Sequence, residues 1–269
     1  MTDDLLTVEA IRPWLKCSDQ ALICLDTVDS TNNYAKALAA QGAADGLAVV
    51  ADCQTAGRGR QGRAFQSPKG KGIYLTMLYR PSLPPARAVS FTAYVAVAVC
   101  DGVQAATDIR PGIKWTNDIV LNGKKLCGIL TETQTDSHGA LSYVIAGLGI
   151  NVNHGPGDLS PDVAAMATSL SQELGRPVDR SRLCAEIINA LGDMYEVWQA
   201  GGGDYWFRYR ADCLTVGRPV KLLRPDGPVE AFAEDIDRDF GLIVRYSDGR
   251  RETVIAGEVS VRGLYGYAD

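Results

Sequence analysis

The chain has 269 residues, 46 % of them hydrophobic, and a formal net charge of −5, which is enough apolar material for a substantial core and excludes a uniformly basic nucleic-acid face. Seven cysteines at positions 17, 24, 53, 100, 127, 184 and 213 form no C-x-x-C pair, and the two histidines, His138 and His154, have no metal-ligand spacing. These features favour a reduced, cytoplasmic setting over a disulfide or metal scaffold. The start Met1-Thr2-Asp3-Asp4 is acidic and precedes no signal-peptide core, and the longest apolar run, residues 94–100, is too short to span a bilayer, so no membrane partner is expected.

In chain order, residues 7–16 predict a short amphipathic lead-in limited by Pro13. Residues 21–25 predict a strand, and Asp29-Ser30-Thr31 offers N-cap oxygens for a helix running to about Ala40. Residues 47–53 and 72–79 predict two further strands, joined by the run Gly57-Arg58-Gly59-Arg60-Gln61-Gly62-Arg63. Pro85 opens a long helix to about Ala106 that is apolar nearly all round and therefore expected to be buried. Residues 113–133 carry Asn122-Gly123 between two β-like arms, a strong hairpin signal. A strand at 141–152 and a helical stretch at about 160–212 follow, most clearly at 180–199. Beyond Leu214 the turns Pro225-Asp226-Gly227, Asp239-Phe240-Gly241 and Ser247-Asp248-Gly249 punctuate short β-rich runs, the spacing of a small antiparallel barrel. The expected division is a unit at 1–214 and a second at 215–269.

Three stretches carry chemistry. The glycine–arginine run opens a region with no carboxylate between Asp52 and Asp101, so its N–H groups and guanidinium forks suit phosphate oxygens. Gly57, Gly59 and Gly62 match G-x-G-x-x-G, but a dinucleotide fold requires a helix after them and an acid about twenty residues on. Here Ser67-Pro68 and a strand follow, and the acid is missing. A kinase reading, prompted by Asp239-Phe240-Gly241, lacks an H-R-D loop, and no G-x-x-x-x-G-K-[ST] occurs. Taken alone, the run is also compatible with a flexible solvated loop.

In the second stretch, Lys114-Trp115-Thr116-Asn117-Asp118 leads into the hairpin, whose turn should pair Val120 with Lys125 and Asp118 with Cys127. Asp118 and Lys125 then share a face, either to hold a cation and neutralise a substrate anion or as an ordinary cross-strand ion pair. The third is Gly147-Leu148-Gly149-Ile150-Asn151, whose alternate glycines leave one strand face bare for a ligand or another backbone.

Together with Asp29-Ser30-Thr31-Asn32, Gln54-Thr55-Ala56, Ser67-Pro68 and Gly257-Glu258-Val259-Ser260, these stretches resemble, in order, the motifs of the biotin protein ligases, across roughly 22–263. Lipoate ligases and octanoyltransferases share the catalytic fold but not the glycine–arginine loop. The resemblance implies an α+β fold: a class-II-synthetase-like mixed β-sheet flanked by helices, plus a small C-terminal SH3-like β-barrel. It implies that biotin and Mg-ATP give biotinyl-5′-adenylate, from which a lysine of a biotin carboxyl carrier protein domain takes the biotinyl group. By resemblance Arg58, Asp118 and Lys125 are catalytic. Ser30, Thr31, Asn32 and Gln54 bind the ureido ring, and Gly57, Gly128, Gly147 and Gly149 line the pocket with Arg58 and Lys125. Arg58, Arg60, Arg63, Asn117 and Asn151 face the nucleotide, with Asn117 and Asp118 toward its Mg²⁺. The loop is expected to be a mobile cover, disordered or open without ligand and closed over the adenylate.

Thr116 stands where proline is usual, Phe65 where tryptophan is usual, and Cys127 where alanine is common. Cys53 and Cys127 are expected to be small buried hydrophobes, and His138 a solvated turn residue. About twenty residues precede the first strand, too few for the helix-turn-helix module of bifunctional relatives, so a ligase without operator binding is expected, as monomer or homodimer.

Overall fold

The computed structural model describes residues 4–265; Met1–Asp3 of the acidic start and the last four residues of the expected 215–269 unit lie outside them. A seven-stranded mixed sheet has the order β1-β2-β3-β7-β6-β5-β4. Strand β1 (Leu22–Val28) runs parallel to β2 (Leu47–Gln54), and helix α2 (Thr31–Ala40) makes the crossover. The other neighbours pair antiparallel: β3 (Gly72–Tyr79), β7 (Leu141–Asn151), β6 (Lys124–Thr135), β5 (Asp118–Leu121) and β4 (Gly112–Lys114). The lead-in is the short helix α1 (Val8–Ile11) and a 3-10 turn at Pro13.

Strand β3 is buried along its whole length, which explains why its sequence is a nearly unbroken apolar run rather than an alternation. On one face, α2 covers the sheet with Ala35 and Ala39 against Val49, Leu78 and Ile145. On the other lie α3 (Ala88–Thr107) and α6 (Arg180–Gln199), packed against each other. Helix α3 with its leading turn, Pro85–Thr107, is long and apolar enough to cross a membrane, but here it is a core helix packed on α6 and β6. Each fully buried side chain of this layer, such as Phe91 or Trp198, contributes roughly 1.5–3 kcal/mol. Asp179 caps α6 by accepting the Arg182 N–H. The next residue, Arg180, is buried and donates to Asp52 of β2 at 2.6 Å. Removing Arg180 strands a buried carboxylate two residues before Gln54, at a cost of about 3–5 kcal/mol. The remaining helices are α4 (Pro161–Met166), α5 (Leu170–Leu174) and α7 (Tyr205–Asp212).

The hairpin turn has Asn122 and Gly123 at φ 48° and 79°, both left-handed, as a type I′ turn requires. Val120 pairs with Lys125 as expected. Asp118, however, pairs with Gly128 rather than Cys127, because β6 carries one extra residue: Ile119 faces Cys127, leaving buried Leu126 in a bulge.

Strands β8 (Pro219–Arg224), β9 (Gly227–Ile236), β10 (Leu242–Arg245), β11 (Arg251–Val254) and β12 (Glu258–Val261) form an antiparallel sheet of order β11-β10-β9-β8-β12. Its Asp239-Phe240-Gly241 turn is a plug into the larger unit. Asp237 Oδ1 accepts the N–H groups of Asp239 and Gly241, and Phe240 is held at φ 65°. The Phe240 ring sits 5.6 Å from that of Tyr94 and 5.4 Å from that of Tyr209, edge-on to both, and its carbonyl accepts the Trp115 indole N–H at 2.9 Å. This contact sets the small sheet, and so β12, over the sheet edge that carries β4 and β5. The fold is thus the α+β architecture expected from the sequence.

Candidate active site

A cavity of about 420 Å³ lies between the glycine–arginine loop, the β5–β6 hairpin, β7, α4 and β12. Every site residue named from the sequence lines it except Gly57 and Asn151. Gly57 lies behind Gln54, where a Cβ would sit 2.5 Å from the Phe65 carbonyl oxygen. Asn151 is buried at the end of β7 opposite Gly72.

One part of the lining is a polar network. Gln54 Oε1 accepts the Thr31 N–H at 2.9 Å and the Thr31 hydroxyl at 3.1 Å, while Gln54 Nε2 donates to Ser67 at 3.0 Å. Thr76 donates to Asn32 Oδ1 at 2.7 Å, and Asn32 Nδ2 donates to Glu132 at 2.8 Å. Both ends of the Asn32 amide are therefore held. Burial opposes the Glu132 charge, but hydrogen bonds from Lys36 and Asn32 outweigh it and hold the carboxyl below the ordinary glutamate range. Ser30 stands at the N-cap of α2, yet its hydroxyl makes no capping bond. The bare face of β7 is filled, but by side chains rather than a backbone. A Cβ on Gly147 would fall 2.0 Å from Asn32 Oδ1, and one on Gly149 2.4 Å from the Phe65 ring. The alternate glycines thus seat an amide of α2 and an aromatic ring of the loop.

The loop is docked over the cavity by its three guanidinium groups. Arg58 donates to Asn33 at 2.6 Å and lies 3.8 Å from Glu132. Arg60 donates to Thr116 at 2.9 Å, Asn117 at 2.8 Å and the Gly257 carbonyl at 2.9 Å. Arg63 forms a two-pronged pair with Glu258 of β12. Across from them Lys125 Nζ lies 2.7 Å from Asp118 Oδ1, and the Tyr265 hydroxyl donates to Asp118 Oδ2. Asn117 is committed at both ends, donating to the Ile129 carbonyl at 3.0 Å and accepting from Arg60.

Sequence reasoning missed four participants. Lys114 lines the cavity, and burial lowers its pKa below the ordinary lysine range. Its place at the head of Lys-Trp-Thr-Asn-Asp was the available signal. Gly257 stood in the Gly257-Glu258-Val259-Ser260 motif without an assigned role, and Glu132 and Tyr265 carried no signal, because their contacts lie far away along the chain. Cys127 is fully buried with its thiol pushed up by that burial, as befits a small core residue. His154 is buried away from the cavity, its pKa pushed down to about 4 by desolvation, and His138 is exposed in a turn.

Residues 24–151 match the model of the biotin/lipoate A/B protein ligase family, and residues 215–262 match that of the biotin protein ligase C-terminal domain. A bifunctional ligase/repressor of Bacillus subtilis is 37 % identical over 234 residues, covering 86 % of this chain and 71 % of that protein. The chain belongs to the biotin protein ligase family. A biotin–[acetyl-CoA-carboxylase] ligase of Mycobacterium tuberculosis is 35 % identical, covering 86 % of this chain and 85 % of its own length. The biotin protein ligase of Aquifex aeolicus, solved in complex with biotin and ATP, superposes with a TM-score of 0.76 at 26 % identity, covering 90 % of this chain and 99 % of that one. The chain is accordingly an enzyme, a biotin–protein ligase, and the cavity just described is its candidate active site.

Proposed function

We propose that this ligase works in two steps in the cytoplasm. A biotin carboxylate oxygen attacks the α-phosphorus of ATP, and pyrophosphate leaves, giving biotinyl-5′-adenylate. A lysine amine of a biotin carboxyl carrier domain then attacks the acyl carbon, releasing AMP and a proton. The observation that carries this reading is the convergence of Arg58, Arg60, Lys125 and the Thr31–Asn32–Gln54 network on one cavity. The names of the Mycobacterium tuberculosis relative and of a 32 % identical Paracoccus denitrificans ligase support a carrier domain of acetyl-CoA carboxylase as acceptor. Seven free thiols support the reduced setting.

The first step must bring two anions together, which at 4 Å repel by about 4 kcal/mol at a protein surface. Preorganised cations offset that repulsion and stabilise the charge that develops on the phosphate. The loop arginines differ in what they have left to offer. Arg60 is held by a hydroxyl, an amide and a carbonyl, all neutral, so its full charge is available to a phosphate. Arg58 is held by a neutral amide and shares Glu132 with Lys36. The charge of Arg63 is already matched by Glu258. We therefore assign Arg58 and Arg60 to the carboxylate and α-phosphate, and Arg63 chiefly to holding the loop. Lys125 joins them, its ammonium ion-paired with Asp118 Oδ1 at 2.7 Å and facing the cavity that the substrate oxygens would enter. Thr31, Asn32 and Gln54 are held in a network that leaves one Gln54 Nε2 N–H and the Ser30 hydroxyl for a urea that must be fully hydrogen-bonded once buried.

Mg²⁺ enters this reading as part of the nucleotide substrate. Among the described residues no group of three or more His, Cys, Asp or Glu gathers to hold a metal; Asn117 Oδ1 accepts from Arg60 and Asp118 Oδ2 from Tyr265, while buried Asp118 Oδ1 is ion-paired with Lys125 but accepts no hydrogen bond. Two side chains are too few to hold Mg²⁺ without phosphate oxygens and water. Operator binding has no place in the reading, in keeping with the acidic charge balance. The test is exchange of labelled pyrophosphate into ATP by the purified chain. Biotin should support exchange; failure with biotin and success with lipoate or octanoate would move the chain to the lipoyl branch.

A further inference from the structure

The small sheet contributes more to the cavity than the Gly257 carbonyl and the Glu258 carboxylate that meet the loop arginines. After β12 the chain turns at Gly263 (φ 78°), buries Leu264, and brings Tyr265 back against the hairpin. The Tyr265 N–H donates to the Gly123 carbonyl at 3.0 Å, in the turn between β5 and β6. Its hydroxyl donates to Asp118 Oδ2, and its ring lies under Lys114, whose ammonium is 4.1 Å from the centroid. One residue thus touches the hairpin turn, the carboxylate and the buried lysine together.

Lys125 has two competing tasks. It pairs with Asp118 Oδ1 at 2.7 Å, and the proposed chemistry needs its ammonium on substrate oxygens. A carboxylate free to turn can offer an ammonium both oxygens. One whose second oxygen accepts a phenol O–H is fixed in rotation and shares its charge between two donors, so its hold on the lysine is weaker. The phenol is a dependable donor, because burial and then the neighbouring Asp118 charge raise its pKa far above the ordinary tyrosine value.

We propose that Tyr265 is a positioning residue for adenylate formation: by occupying one oxygen of Asp118 it leaves the Lys125 ammonium available to the substrate carboxylate and α-phosphate. The inference rests on the ligase reading above. It assigns the segment after β12 a part in the first half-reaction, through Asp118, without contact between Tyr265 and the reacting atoms.

The experiment compares Tyr265→Phe and Tyr265→Ala with the unaltered chain. Pyrophosphate exchange, biotin affinity by calorimetry and thermal midpoint are measured for all three. Tyr265→Phe keeps the ring under Lys114 and removes only the O–H. It should lower the kcat of exchange by about tenfold or more, the scale of a hydrogen bond to a charged group, with biotin Kd and thermal midpoint unchanged. Wild-type exchange in Tyr265→Phe, with loss only in Tyr265→Ala, overturns the proposal and leaves a packing role. So does a Tyr265→Phe loss that appears equally in biotin Kd and thermal midpoint. Absence of exchange in the unaltered chain contradicts the ligase reading itself, a result separate from either.

Discussion

The hairpin at 118–130 and the loop at 57–63 present the charges of one cavity, and they are held by different means. In the hairpin, strand pairing with β4 and β7 and the burial of Ile119, Leu126, Cys127 and Ile129 fix the backbone. The loop makes a narrow bridge, Gly59 N–H to the Arg63 carbonyl and Phe65 N–H to the Gly57 carbonyl, and a single 3-10 turn closed by Arg63 N–H on the Arg60 carbonyl; beyond these it is tied by Arg58, Arg60 and Arg63 and by the Phe65 ring on Gly149. Opening the hairpin breaks core packing. Opening the loop exchanges guanidinium contacts for water, which costs little for the exposed Arg58 and Arg63 and more for the half-buried Arg60. A rigid lysine–carboxylate pair thus faces a cover whose own fastenings are the groups a ligand recruits. This difference suits a site that must admit two substrates and then retain a reactive anhydride.

Substitutions can separate the two behaviours. Lys125→Ala should have the largest effect, lowering pyrophosphate exchange by roughly 10²–10³-fold, the scale seen when one preorganised stabiliser is removed. The hairpin is held by packing, so thermal unfolding should shift by less than about 4 °C. Arg60→Gly removes the tie to Thr116, Asn117 and Gly257 together. It should release biotinyl-adenylate at least about tenfold faster, seen as biotinylation of lysines on an unrelated bystander protein. Labelling confined to the carrier domain would show that other contacts hold the cover.

Gly149→Ala probes the seam between the two regions, because its Cβ would enter the Phe65 ring. Displacing that ring should raise the biotin Kd by roughly five- to tenfold, the cost of modest overpacking, measured by calorimetry. Glu258→Gln should be smallest. Its partner Arg63 is largely exposed, so adenylate release should quicken by no more than about threefold, with the effect vanishing in about 0.5 M salt.

The fold was legible where one physical pattern dominated. Strand β3 occupies residues 72–79 as expected, because a double-faced apolar run bounded by glycine and Arg80-Pro81 has few other uses. Asn122-Gly123 announced its turn through left-handed backbone preference. The bulge at Leu126 was hidden, since nothing local distinguishes the extra buried leucine from a paired one, and it moved Asp118 from Cys127 to Gly128. Gly147 and Gly149 signalled open space but not its occupants, because Asn32 and Phe65 arrive from other elements. Tyr265 lies 147 positions beyond Asp118, and the seating of the small sheet, through Phe240 among other contacts, brings the two together. Residue type and spacing revealed the charges; tertiary packing decided which of them are already neutralised and which are free to act.

Backbone hydrogen exchange of residues 57–66 and 118–130, with and without biotin and ATP, tests the contrast between cover and hairpin most directly. The account predicts slow exchange in the hairpin under both conditions. In the loop it predicts fast exchange in the free protein, slowing by at least about tenfold when both ligands are present. A loop equally protected in both conditions, or a hairpin that gains protection alongside it, would contradict the account.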